Sequence, residues 1–101
     1  MEIRISSKEA ALRVLGSVPE DKVFWVSDGS VIRSLEDLAK SLEKMSNETF
    51  KQHCNKEKND FSNWIKDVIG DVRLANELKK NKTKTHAIHK IKRRIEWLKK
   101  I

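Results

Sequence analysis

The sequence predicts a mainly α domain of five or six short helices with a small β-hairpin packed on the bundle. Three observations predict it. Apolar residues recur at helical spacing in separate segments along the chain. β-branched and aromatic residues cluster in one place only, around the pair Asp28-Gly29. Ser, Thr, Asn or Asp stands at each expected helix start, where a side-chain oxygen can accept from unpaired backbone N–H groups.

Residues 1–5 alternate Ile3 and Ile5 with charged residues, as a short edge strand or a frayed end would. Ser6 and Glu9 have capping-box spacing. Ala11, Val14, Leu15 and Val18 follow helical periodicity, and Gly16, Ser17 and Pro19 predict that this helix ends near Leu15. Val23, Phe24, Trp25, Val26, Val31 and Ile32 predict two strands, with Asp28-Gly29 as a type I′ turn. An isolated hairpin is marginal, so it must pack on a helix.

Ser34 and Asp37 predict a capped start for a helix whose core face is Leu35, Leu38, Ala39, Leu42 and Met45. Ser46 or Asn47 starts a shorter helix carrying Phe50, His53 and Cys54, and residues 55–58 form a loop. Asn59 or Asp60 caps the next helix, whose Phe61, Trp64, Ile65 and Val68 lie at i, i+3, i+4 and i+7. This aromatic stripe is expected to be the centre of the core. Gly70 supplies the positive φ that ends it, and Asp71 caps a helix with Leu74, Ala75 and Leu78 inward. Residues 79–85 lack apolar side chains and predict a loop or hinge. The last helix starts at Thr83 or Thr85 and carries Ile88, Ile91, Ile95, Leu98 and Ile101 as a stripe. At about 100° per residue its other face presents His86, His89, Lys90, Arg93, Trp97 and Lys100.

A chain of 101 residues is one domain, able to bury a core without disulfides. Its single cysteine, Cys54, has no partner in the chain. No long apolar run and no leader-like N-terminus occurs, which predicts a soluble, cytoplasmic protein with no membrane partner. The charge is uneven. Residues 1–78 hold 12 Lys and Arg against 14 Asp and Glu, a net of −2, whereas residues 79–101 hold 10 against one, a net of +9. Such an asymmetry suits an anionic partner. Lysines and arginines near a helix C-terminus also offset the helix dipole, a purely structural role.

Catalytic and metal-binding patterns are weak. His86 and His89 share a helical face, but His53 and Cys54 are neighbours and no CxxC pair exists, a poor donor set for a tetrahedral ion. His53 and Cys54 would project about 100° apart on a helix, which does not suit a base and its nucleophile. Asp60, Asp67 and Asp71 are explained by helix capping and solvation. We therefore expect no catalytic residue, no metal and no cofactor.

The residues from Phe50 through His53, Asn59-Asp60-Phe61, Trp64-Ile65, Val68, Gly70-Asp71 and Leu74-Ala75 resemble, in that order, the motif of a small helical domain family of archaea and bacteria. The likeness spans roughly residues 22–80 and includes Gly29, Ser34-Leu35, Leu38 and Leu42. It departs at Cys54, where an aliphatic residue is expected, and that implies a packing role there. The resemblance implies a mostly helical archaeal or bacterial domain and no particular activity. Residues 83–101 lie outside it.

The function expected from these readings is that of a non-catalytic binding module. His86, Lys90, Arg93, Arg94, Trp97 and Lys100 would contact nucleic acid without reading its sequence. Trp97 would stack on a base or on a partner side chain, or else pack under the hairpin as core. The alternative is a protein-interaction or self-association module that uses the Ile/Leu stripe of the last helix, should the domain leave it uncovered.

Overall fold

The computed structural model describes residues 7–101; the expected strand at residues 1–5 and the expected cap Ser6 lie outside them. Among the described residues six α-helices and one two-stranded antiparallel sheet share a single core, as the sequence predicts. Helix α1 (Lys8–Leu15) is capped by Ser7, whose hydroxyl accepts from the Ala10 N–H, one residue after the expected cap. A 3-10 turn at Glu20–Lys22 leads into strand β1 (Phe24–Trp25), which pairs with β2 (Val31–Ile32).

The hairpin loop differs from the expected type I′ turn. That turn needs positive φ at both central residues, yet among the described residues only glycines have positive φ. Gly29 (φ 94°) follows a turn closed by its own N–H on the Val26 carbonyl, and the Val26 N–H bonds to the Ser30 carbonyl. The loop therefore holds three residues. Asp28 stays out of the left-handed region because its carboxylate accepts from both the backbone and the hydroxyl of Ser30. Those same bonds hold the Asp28 carboxyl below its usual range.

Helix α2 (Leu35–Lys44) buries Leu35, Leu38, Ala39 and Leu42, with Ser34 accepting from the Asp37 N–H. Helix α3 (Asn47–His53) starts at its Ser46 cap and buries Phe50. Helix α4 (Asp60–Trp64) is capped by Asn59, not Asp60, and it runs on into a π turn over Ile65–Ile69. The extra residue in that turn shifts the helical phase. Ile69 takes the buried position that regular spacing assigns to Val68, and Val68 lies only partly buried. Gly70 (φ 87°) closes the segment, donating to the Ile65 carbonyl at 2.7 Å.

Helix α5 (Val72–Lys80) absorbs Lys79 and Lys80, and α6 (Lys84–Lys99) begins at its Thr83 cap, so the expected loop at residues 79–85 shrinks to the link between them. Both lysines can continue α5 because they project outward while Leu78 stays buried.

Phe61 lies at the centre. It stacks on Phe24 and Phe50 with ring centroids 5.2 and 5.6 Å apart, and Trp64 meets Phe24 edge-on at 6.0 Å. Trp64 Nε1–H donates to the Lys22 carbonyl at 2.9 Å, which fastens the entry of β1 to α4. Two buried polar side chains join α4 to α5: Ser62 Oγ donates to the Ala75 carbonyl and Asn59 Nδ2 to the Leu78 carbonyl. Helix α6 packs against α1, α2 and α5, and its Ala87, Ile91, Ile95 and Leu98 are buried. Most of the Ile/Leu stripe is thus consumed inside the chain, with Ile88 and Ile101 partly buried at its edge.

Candidate nucleic-acid interface

Helix α6 carries more charge than it leaves to solvent. On its α2 side, Lys92 meets Glu43 and Lys99 meets Glu36, each at 3.0 Å. Lys84 donates to the Met45 carbonyl, and Lys82, just before the helix, donates to the Asn55 carbonyl. On the α5 side, Arg94 grips Asp71 while Lys90 Nζ stands 3.7 Å from Glu77. Asp71 thus pairs with Arg94 and Glu77 with Lys90, so the two helices run antiparallel. Between them lies an open groove of about 370 Å³, lined by Arg73, Leu74, Glu77, Lys90, Arg93, Arg94 and Trp97.

One end of this groove is tied. Glu77 is ion-paired with Lys80 at 3.2 Å and reached by Lys90, and the bond from Lys80 holds its carboxyl below the usual range. His86 Nε2 lies 3.1 Å from the Glu77 carbonyl, so this histidine fastens α6 to α5 instead of facing water. The other end is open. Among the described residues no carboxylate lies within 4.0 Å of Arg73, Arg93 or Lys100, and all three are exposed. Trp97 is 45% exposed.

Arg94 differs from the other predicted contact residues. Its Nε and Nη2 donate to Asp71 Oδ2 and Oδ1 at 2.7 and 3.0 Å, and its side chain is only 15% exposed. The same guanidinium lies over the Trp97 ring, 4.5 Å from its centroid. Asp71 therefore orients Arg94, and Arg94 backs one face of Trp97. Trp97 lies at the surface and not in the core.

Sequence spacing brings together Lys90, Arg93, Trp97 and Lys100 but does not single out Arg73 or Glu77. Both belong to α5, outside the basic segment. The signal in the sequence was their i, i+4 spacing beside Leu74 and Leu78, which sets them at the edge of the face that α6 covers.

A second cluster lies under the hairpin. The Ser27 N–H donates to His53 Nε2 at 3.0 Å, and His53 Nδ1 is 3.0 Å from Asp60 Oδ2. Since Nε2 accepts, the neutral ring carries its proton on Nδ1 and donates it to Asp60. The order carboxylate, imidazole, serine resembles a nucleophile-activating relay, but the lone pair of Nε2 is occupied by a backbone N–H, and Ser27 Oγ donates to Gln52. The cluster fastens the loop to α3 and α4. Cys54 is buried nearby, and burial pushes its thiol up. Among the described residues no group of three or more His, Cys, Asp or Glu could hold a metal ion, and no helix is long and apolar enough to cross a membrane.

No family model matches this sequence, and neither a curated protein nor a solved structure matches it. The groove's own chemistry is therefore the basis for a functional reading.

Proposed function

We propose that the protein is a non-catalytic module that binds nucleic acid through the α5–α6 groove without reading sequence. The observation that carries this reading is the open end of the groove, where Arg73 and Arg93 lack carboxylate partners beside a half-exposed Trp97. Two arginines can hold phosphates bidentately, and Lys100 extends the positive surface beyond the end of α6. Lys90 contributes as well. Its contact with Glu77 is a partly exposed ion pair, a kind worth only about 0–1 kcal/mol and easily exchanged for a phosphate. Arg94 and His86 serve from behind, as the supports of Trp97 and of the α5–α6 packing. The sequence carries no helix-turn-helix, zinc-finger or RNA-recognition signature, so contacts to the sugar-phosphate chain dominate.

The alternative of self-association through the Ile/Leu stripe is disfavoured, because Ile91, Ile95 and Leu98 already lie in the core. A cytoplasmic setting goes with the nucleic-acid reading. Kinship with the small archaeal and bacterial family that residues 22–80 resemble is compatible with it and adds no activity.

The test is a gel-shift titration of unrelated DNA and RNA at several salt concentrations. Wild-type protein should bind both, with affinity falling steeply as salt rises. Replacing Arg73, Arg93 and Lys100 together by Gln should lower the slope of log affinity against log salt by about two to three units, at roughly 0.9 for each duplex phosphate no longer neutralised. Absence of binding at low salt, or an unchanged slope in the triple variant, would contradict the proposal.

A further inference from the structure

We infer that the groove is built for a single strand, with an unpaired base stacked on Trp97; this rests on the nucleic-acid reading above and specifies its ligand. Three features of the groove lead there.

The first is the way Trp97 is held. The Arg94 guanidinium covers one face at 4.5 Å, and both Asp71 oxygens fix that guanidinium in turn. A ring backed by a stacked cation and still 45% exposed is a preorganised platform, with little side-chain freedom left to lose on binding. Base–aromatic stacking tolerates any base, because every base has a π face. A duplex keeps its faces stacked internally and offers the platform nothing unless a nucleotide is flipped out, at an unstacking cost.

The second is the concavity. The open groove of about 370 Å³ leaves room beside Trp97 for a small flat ligand. A single base with its sugar is a ligand of that kind, whereas a paired helix can only lie across the rim.

The third is the division of charge along the groove. Arg73 and Arg93 are open at the Trp97 end, and the ionised Glu77 stands at the other end between Lys80 and Lys90. A phosphate meets two unpaired guanidiniums at the first end, whereas at the second it must displace Glu77 from Lys80 and Lys90. The strand therefore keeps its phosphates at the arginine rim while a neutral base occupies the interior.

The test compares a fluorescein-labelled oligothymidylate with a labelled duplex hairpin of equal phosphate number, by anisotropy at one low salt concentration. The single strand should bind wild-type protein more tightly than the duplex. Trp97→Leu should weaken the single strand by about five- to a hundred-fold, the range that base–aromatic stacking spans, and weaken the duplex by clearly less. Trp97→Phe should restore most of the affinity, which separates stacking from any damage to the fold. Equal affinities for the two ligands, or single-strand binding that ignores Trp97→Leu, would overturn the inference while leaving phosphate binding standing. If neither ligand binds, this inference fails together with the broader reading.

Discussion

Arg94 reaches from α6 to both carboxylate oxygens of Asp71, at 2.7 and 3.0 Å, with Asp71 only 1% exposed. The same carboxylate caps α5 by accepting from the Leu74 N–H. A buried carboxylate is expensive unless its charge and lone pairs are met, and here a guanidinium fork and a helix N-terminus meet them. Stability and presentation are linked through this pair, since the guanidinium that neutralises Asp71 also backs Trp97.

Removing Arg94 strands that charge. Arg94→Met is expected to cost about 3–5 kcal/mol, the usual penalty for breaking a buried ion pair from one side. Asp71→Asn combined with Arg94→Met should recover part of it, because the uncompensated charge is then gone. Urea unfolding measures both, and an unchanged midpoint for Arg94→Met would mean that the pair does not hold α5 and α6 together.

Trp64 is expected to be among the costliest side chains to truncate. Trp64→Ala removes an aromatic from a buried cluster and should cost about 3–5 kcal/mol. An ordinary domain has only about 5–15 kcal/mol to lose. Trp64→Phe keeps the ring against Phe24 but abandons the Lys22 carbonyl, and should cost about 1–3 kcal/mol. Thermal melts that leave both variants at the wild-type temperature would relocate the core.

His53 should be the Nδ1–H tautomer, because its Nε2 accepts from the Ser27 N–H. Long-range proton–nitrogen correlation on the neutral ring should show Nδ1 as the protonated, pyrrole-like nitrogen and Nε2 as the bare, pyridine-like one. The reverse pattern would break the predicted link between the hairpin loop and α3.

Cys54 should be chemically silent in the native state. Burial pushes its thiol up, with the nearby Asp60 in the same direction and Lys82 opposing, so the reactive thiolate is scarce at neutral pH. A thiol reagent should label it only after denaturant is added. Fast labelling of folded protein would contradict the burial.

The elements were legible wherever local chemistry decides them. Ser34, Ser46 and Asp71 cap the helices expected of them, because capping is settled within three residues of sequence. In the stripe of α6, Ile91, Ile95 and Leu98 are buried as their spacing requires, while Ile88 and Ile101 are only partly buried. What local pattern could not carry was phase and partnership. The π turn at Ile65–Ile69 exchanges Val68 for Ile69, and nothing in a run of apolar residues marks one extra residue in a turn. Asp28-Gly29 has the composition of a two-residue turn, yet side-chain bonds to Ser30 select a three-residue loop. Arg94 looks like one more cation on a basic helix. Its carboxylate partner lies 23 positions earlier, beyond the reach of any helical spacing rule. Arg73 was hidden for the same reason, since only the antiparallel packing of α5 on α6 brings it to Arg93 and Trp97.

The central claim is that the open end of the α5–α6 groove is where nucleic acid binds, and amide and indole shift mapping tests it most directly. Isotope-labelled protein would be titrated with a short oligothymidylate at low salt. The three tryptophans provide an internal comparison: Trp64 is buried, Trp25 is exposed on the hairpin at 69%, and Trp97 lines the groove. The account predicts that the Trp97 indole signal and the amides of Arg73, Arg93 and Lys100 move most, saturate together, and leave the Trp25 indole in place. Shifts centred on Trp25 and the hairpin, or no shifts at all, would contradict it.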